Sequence, residues 1–204
     1  MIKPKRMLQA IKALNNSENI GDFALLKADA LGAKANSEIA QKMQTVKGYY
    51  PQIDLAQLAQ LPQGTFGYEY AMFMQQNKLQ TINISPELTQ IANNNVFAVR
   101  YAITHDIFHV LLGFDTTYAG EMGVLAFAVE QKYSNSQTIS LWLAQILYPI
   151  LTPHQTRAIF ANKRRGKALA KQAVFLLNYR FENCWTEPLA VVRQKLGIDL
   201  EQIL

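Results

Sequence analysis

Apolar positions recur at three- and four-residue intervals along most of the chain, and residues that start or stop helices bound each such stretch. Met7, Leu8, Ile11 and Leu14 make one stripe, and the next stretch, "GDFALLKADALG", closes at Gly32. "NSEIAQKMQTV" predicts a third helix with Ser37 as its cap. "IDLAQLAQLP" predicts a helix that begins at Asp54, carries Gln57 in the reciprocal capping position and stops at Pro62. After the turn "GTFG", "YEYAMFMQQN" predicts a helix ended by Asn77. Ser85, Pro86 and Glu87 fit as cap, first residue and first-turn acid of another. "NVFAVRYAITHDIFHVLLG" predicts a long helix stopped by Gly113, then the loop "FDTTYAG", then a very apolar helix opening at Glu121. Thr152, with Gln155 in the reciprocal position, caps a helix through "TPHQTRAIFANKRRGKALAKQAVFLLNY", and "TEPLAVVRQKLG" is the last. "KLQTINI" alone reads as a short extended piece. No repeat at solenoid periods is present. The expected fold is all-α, a single-domain helical bundle over residues 1–204.

Composition narrows the class. Half of the 204 residues are hydrophobic and 17% are charged, enough for a sizeable core without disulfides. The one cysteine, Cys184, rules out a disulfide framework and a cysteine zinc finger, and reads as a buried structural thiol. The formal charge of +5 attracts anions of any kind. Its densest cluster is Lys163, Arg164, Arg165, Lys167 and Lys171, either a solvated helix face or a dock for acidic lipid to which Lys3, Lys5 and Arg6 add. No helix-turn-helix or aromatic ladder accompanies the charge, so no nucleic-acid partner is expected. The longest uncharged stretch, residues 133–156, is strongly apolar only over residues 139–151. Thirteen residues are too few to span a bilayer, which needs ~20. That segment is either a buried helix or one lying against lipid. Residues 1–14 carry no long apolar run, so no secretory signal is expected.

Candidate chemistry concentrates in "YAITHDIFHVLLGFDTTYAGEMG". On a helix, His105 and His109 stand one turn apart and about 40° apart in direction, with Asp106 about 60° from His109. Such a pair reaches a metal at ~2.0–2.2 Å without strain. Glu121 would lie ~18 Å further along a continuous helix, but Gly113 and the following loop allow the chain to reverse and return it. Satisfied core histidines are the alternative. Yet burying His105, Asp106 and His109 among Phe108, Val110, Leu111 and Leu112 costs several kcal/mol unless something pairs them, and a metal does so. The spacing also mimics the zinc-protease pattern His-Glu-x-x-His, which keeps a small hydrolase as a rival. Aspartate's shorter arm suits it better to binding the metal or orienting a histidine than to serving as the base.

The same residues carry a family resemblance. "HDIFHVLLGFDTTYAGE" resembles the signature His-Asp-x-x-His, eleven residues, Glu of the coenzyme Q (ubiquinone) biosynthesis protein family, the fourth member in that pathway's naming. "LPQGTFGYEYAMFM" and "WTEPLAVVRQKLGI" resemble two further segments of that family, in the right order. The resemblance implies an α-helical protein that binds a divalent metal through His105, Asp106, His109 and Glu121. Zinc is the usual assignment, with iron or manganese as the alternatives. It also implies a hydrophobic groove or channel for a polyprenyl chain, and a role either in oxidative decarboxylation of a prenylated hydroxybenzoate or as a lipid-presenting scaffold. Phe66, Tyr70, Phe73, Met74, Phe127 and Trp142 are the candidate lipid contacts. Arg100, beside the motif, is a candidate holder of a phosphorylated prenyl chain. Expected partners are a prenylated quinone precursor, other quinone-biosynthesis proteins, the membrane surface and a second copy of the chain. No mitochondrial presequence is visible, which suggests a bacterial member, cytoplasmic and peripheral to the inner membrane.

Overall fold

The computed structural model describes residues 20–30 and 32–201, together with Gln9. Apart from Gln9, the stripe predicted over residues 7–14 lies outside the described residues, as do Lys3, Lys5 and Arg6. The helices are α1 Ile20–Ala30, α2 Ser37–Lys42, α3 Leu55–Leu58, α4 Phe66–Gln76, α5 Thr89–Asn94, α6 Val96–Leu112, α7 Tyr118–Glu130, α8 Asn135–Leu151, α9 Thr156–Gln172 and α10 Leu189–Lys195. No strand occurs among the described residues, and the all-α expectation holds; "KLQTINI" is irregular. One isolated bridge, Thr65 to Pro188, ties the start of α4 to the start of α10.

Helix α6 is the axis of the fold, with thirteen of its seventeen residues buried. Asn95 caps it by accepting from the Ala98 N–H, and Gly113, at φ +65°, ends it in the left-handed conformation that glycine adopts without strain. Phe108 sits at the centre of an aromatic cluster with Phe127, Tyr133 and Phe181, at centroid separations of 6.1–6.3 Å. Arg100 is fully buried on the same helix. Its Nη2 donates to the Tyr179 carbonyl at 2.8 Å, its Nε donates to that of Leu177 at 3.4 Å, and its Nη1 lies 3.8 Å from Glu182 Oε1. The guanidinium thus pins the segment that follows α9 against α6. That corrects the expectation that Arg100 holds a phosphorylated chain, because no solvent-facing donor remains.

Helices α7 and α9 cross at two glycines. A Cβ built on Gly166 would stand 2.1 Å from the Gly123 carbonyl oxygen, so the two backbones touch. Helix α8 lies on α7 through Leu141 and Ala144, which pack with Met122, Ala126 and Ile159. Its other face is open. Ile139, Trp142, Leu143, Ile146, Leu147, Ile150 and Leu151 are 45–67% exposed, which excludes the buried-helix reading of residues 139–151. No helix among the described residues is long and apolar enough to cross a membrane.

Several boundaries differ from the sequence expectation. Asn36, not Ser37, precedes α2, and a 3-10 turn over Met43–Val46 follows it. Asp54 does cap α3, accepting from the Gln57 N–H at 3.0 Å. Ser85 makes no cap. Its hydroxyl and N–H instead donate to Asp22, tying the segment before α5 to α1. Thr152 turns its hydroxyl back to the Tyr148 carbonyl, and Gln155 accepts from the Ala119 N–H at the start of α7. At Ser85 and Gln155 a tertiary partner takes the capping group, and at Thr152 the carbonyl four residues back does.

Candidate metal centre

The centre is built by the turn between α6 and α7. The Phe114 N–H donates to the His109 carbonyl at 3.0 Å, closing α6, while the Phe114 carbonyl accepts from His109 Nδ1 at 3.3 Å. One residue therefore ends the helix and fixes the histidine tautomer, which leaves Nε2 to face the site. His105 is treated alike. Its Nδ1 pairs with Asp106 at 3.3 Å, and its Nε2 points to the same place. Thr117 caps α7 by accepting from the Gly120 N–H, so the helix begins at Tyr118 and Glu121 stands a full turn inside it. This corrects the expectation that Glu121 is the opening residue, since Tyr118, Ala119 and Gly120 are helical rather than loop.

The chain reversal delivers the glutamate. Glu121 Oε2 lies 3.3 Å from His105 Nε2, and Oε1 lies 3.3 Å from His109 Nε2. One ligand atom from each of His105, His109 and Glu121 falls within 4.8 Å of the others. Asp106 does not join this set; it braces His105 from behind. Phe73 stacks on the His109 ring, with centroids 5.8 Å apart, and Tyr101 meets His105 edge-on at 5.7 Å. Burial alone would push the His105 imidazolium down. Hydrogen bonds and charge from Asp106 and Glu121 outweigh it and hold the group at about 9. Burial likewise raises Glu121, but the two histidines bring it down to about 2. Without a metal the cluster is an ion pair.

The residues fit a divalent metal. His109 Nε2 is buried, and at 3.3 Å from Glu121 it has ion-pair proximity without a hydrogen bond. A buried ring nitrogen with no partner is costly, and a metal ion satisfies it. Two imidazoles and one carboxylate are a donor set that such an ion takes.

A mainly apolar cavity of about 730 Å³ opens beside His105, lined by Phe97, Tyr101, His105 and Asp106 of α6, Phe23 of α1 and Leu79, among others. None of the six predicted lipid contacts lines it. Phe66, Tyr70, Met74 and Phe127 are packed in the core, Phe73 backs His109, and Trp142 is on the open face of α8. The basic cluster also divides. Arg164 and Lys171 are exposed, Lys167 approaches Glu130 at 3.7 Å, Lys163 donates to Gln145, and Arg165 folds over the Phe114 ring.

The two outer sequence segments converge on α6. The Phe66 and Gly67 N–H groups donate to the carbonyls of Glu187 and Trp185, and Trp185 stacks on Tyr70. Arg193 then donates from Nε to the Leu111 carbonyl at 2.9 Å and from Nη2 to that of Val110 at 2.8 Å. It thereby closes the carboxyl end of the histidine helix. Sequence reasoning carried Arg193 only as the arginine of the family-like segment "WTEPLAVVRQKLGI" and gave it no role.

The family model described as "Coenzyme Q (ubiquinone) biosynthesis protein Coq4" matches residues 10–202. The chain belongs to the Coq4 family. Among named Coq4 relatives, the mitochondrial ubiquinone biosynthesis protein COQ4 homolog of Mus musculus is 30% identical over 151 residues, covering 72% of this chain and 54% of its own. That of Rattus norvegicus is 29% identical, with 72% and 55% covered. The chain thus spans about half the length of these mammalian relatives. The Nematostella vectensis homolog is 29% identical over 178 residues, covering 85% of this chain and 81% of its own. A crystal structure at 2.85 Å of a Nostoc punctiforme protein named for ubiquinone biosynthesis superposes with a TM-score of 0.69. It has 22% identity and covers 98% of this chain and 100% of that one, a likeness of fold.

Proposed function

We propose that this Coq4 chain acts in prenylquinone synthesis by holding a divalent metal on His105, His109 and Glu121 beside a cavity that takes a prenylated aromatic precursor. Shared space is the observation that carries the reading. The cavity of about 730 Å³ is lined both by His105 and Asp106 and by apolar side chains of α1 and α6. That layout suits an amphiphile whose polar head lies at the metal and whose tail lies along the wall. A bound metal would act as a Lewis acid on an oxygen of the head group, steadying charge that develops as the ring loses its carboxylate. Zinc, iron and manganese all suit a mixed nitrogen and oxygen set. The chain's own residues orient the ligands: Asp106 and the Phe114 carbonyl fix the two imidazoles, and Phe73 holds one ring plane.

A second reading, a lipid-presenting scaffold for other quinone-biosynthesis proteins, has one observation in its favour. Asp106, the carboxylate nearest the trio, is engaged by His105 rather than free to serve as a base. Turnover of a prenylated 4-hydroxybenzoate by the purified protein, compared with His109→Ala, separates the two. Decarboxylation by the wild type alone supports the enzyme. If both proteins are inert yet bind the lipid, the scaffold stands. Metal content measured before and after chelation, with Glu121→Gln alongside, tests the site itself.

The same reading seats the protein on the membrane surface, peripheral to it, through α8. That helix has no charged residue and turns seven large apolar side chains outward. On the neighbouring α9, Arg157, Arg164 and Lys171 are exposed at seven-residue spacing, one face of a helix that suits anionic headgroups. Trp142→Glu with Ile146→Glu is expected to abolish sedimentation with phosphatidylglycerol vesicles. If the pair of changes instead dissolves a dimer and leaves vesicle binding intact, a second copy covers the face.

A further inference from the structure

The wall that α8 contributes to the cavity is polar: Ser136, Gln137 and Ser140. The two serines are spent. Ser136 and Ser134 share a hydrogen bond at 2.8 Å, and the Ser140 hydroxyl donates to the Ser136 carbonyl at 3.1 Å. His105 and Asp106 face each other across 3.3 Å. Gln137 differs. It is 7% exposed, and neither its carboxamide oxygen nor its nitrogen has a hydrogen-bond partner. The Tyr101 hydroxyl stands near enough for the Gln137 amide to oppose the rise that burial gives its pKa, yet no hydrogen bond of ordinary distance and angle joins the two. A buried carboxamide with both ends unmet destabilises the protein that carries it. Leucine or methionine would fill the same volume without that cost.

We infer that Gln137 is the residue that reads the head group: its carboxamide, closed off from solvent in the folded chain, turns into the cavity and makes the hydrogen bonds to a ring oxygen of the ligand whose tail occupies it. The inference rests on the cavity reading above and adds the group that sets specificity. A carboxamide offers a donor and an acceptor side by side, so it matches a ring bearing a hydroxyl next to a second oxygen, or a protonated carboxyl group. It discriminates against a bare hydrocarbon, which would bury the amide unpaired. Gln137 is a specificity-determining residue: it lies in the wall that α8 gives to the same cavity that His105 and Asp106 of α6 line, so a ring held on it shares that space with them.

Two probes test this, 2-farnesylphenol and farnesylbenzene, which share a tail and differ by one hydroxyl. Each is titrated calorimetrically into the wild type, Gln137→Leu and Gln137→Met, with and without chelator, and thermal melting is recorded alongside. The wild type is expected to prefer the phenol at least tenfold, about 1.4 kcal/mol. That preference persists after chelation, which assigns it to the amide rather than to a metal. Both variants lose the preference by weakening phenol binding, keep farnesylbenzene within twofold, and melt higher than the wild type. Unchanged phenol binding in the variants overturns the role of Gln137 and leaves the cavity as a prenyl site. Equal loss of both probes overturns it as well, since the residue then merely shapes the wall. Variants that melt lower overturn it by revealing a structural partner. If neither probe binds the wild type, the cavity reading falls and this inference falls with it.

Discussion

Replacing Glu121 with glutamine keeps the shape of the cluster and removes its charge, and the consequence depends on pH. In the metal-free protein Glu121 is held at about 2 against an ordinary 4.5. At about 1.4 kcal/mol per pKa unit, that shift corresponds to roughly 3 kcal/mol. The side chain is 35% exposed, so solvent screens part of this. About 1–2 kcal/mol is the expected loss of stability. The rise of His105 from 6.5 to about 9 describes the same pairing from the other partner and is not added. The depressed carboxylate contributes stability above its unfolded value of 4.5 and loses it as pH falls toward 2. The raised imidazole contributes fully below 6.5 and loses it as pH climbs through 9. Between those limits the pair is worth most. Urea unfolding of chelated wild type and Glu121→Gln at pH 5.5 is therefore expected to differ by the full amount, and at pH 9.5 by little. Zinc reverses the direction, because binding requires the neutral imidazole. Zinc affinity is expected to rise by up to about tenfold per pH unit between 6.5 and 9, with a proton released to the buffer. A stability difference that stays flat from pH 5.5 to 9.5 would refute the ion-pair description.

Other perturbations probe the frame that carries the site. Gly166→Ala forces a methyl group toward a carbonyl oxygen 2.1 Å away, and because the obstacle is backbone, α7 and α9 must part. A loss at the upper end of about 1–3 kcal/mol is expected by calorimetry, together with weaker metal binding as Glu121 moves with α7. Arg100→Met leaves Glu182 and two carbonyls without their cation and is expected to cost about 3–5 kcal/mol in denaturant; restoring much of it with Glu182→Leu would show that the orphaned charge dominates. Arg193→Gln frees the carbonyls of Val110 and Leu111, so about 1–2 kcal/mol and faster amide exchange at the end of α6 are expected.

Much of the site was legible because helical geometry is short-ranged and regular. The i, i+4 spacing placed His105 and His109 together, and Gly113 marked the reversal that returns Glu121. The division of labour between ligand and brace was not legible. Asp106 is adjacent to His105 in the chain, and whether a short carboxylate meets the metal or the Nδ1 of its neighbour is decided by rotamers that α7 selects when it packs. The lining of the cavity was not legible for a related reason. Apolar residues at helical spacing show that a face is buried, but not whether core or cavity covers it. Phe66, Tyr70, Met74 and Phe127 went to the core, while the cavity drew on α1, the residues after α4, the face of α6 that carries Phe97 and Tyr101, and the start of α8. For α8 the pattern was ambiguous by nature, since an apolar stripe facing a core and one facing outward have the same period.

The three-residue shift in the start of α7 has the largest chemical consequence. Had the helix opened at Glu121, that residue would stand at its frayed end, its direction set by a loop. Because Thr117 caps the helix and Asp115 accepts from both the Thr117 hydroxyl and N–H, the first turn is locked before Glu121 is reached. Gly120 tightens it further, since a Cβ there would stand 1.8 Å from the Asp115 carbonyl oxygen. The glutamate therefore projects from a rigid turn, near the positive end of the helix dipole, which favours its ionised form. Both histidines are fixed from behind by Asp106 and Phe114, so all three candidate ligand atoms are oriented by groups outside the cluster. A cluster held in this way costs little reorganisation when a metal enters. Thr117→Val should therefore weaken metal affinity more than global stability, although Thr117 touches no ligand atom.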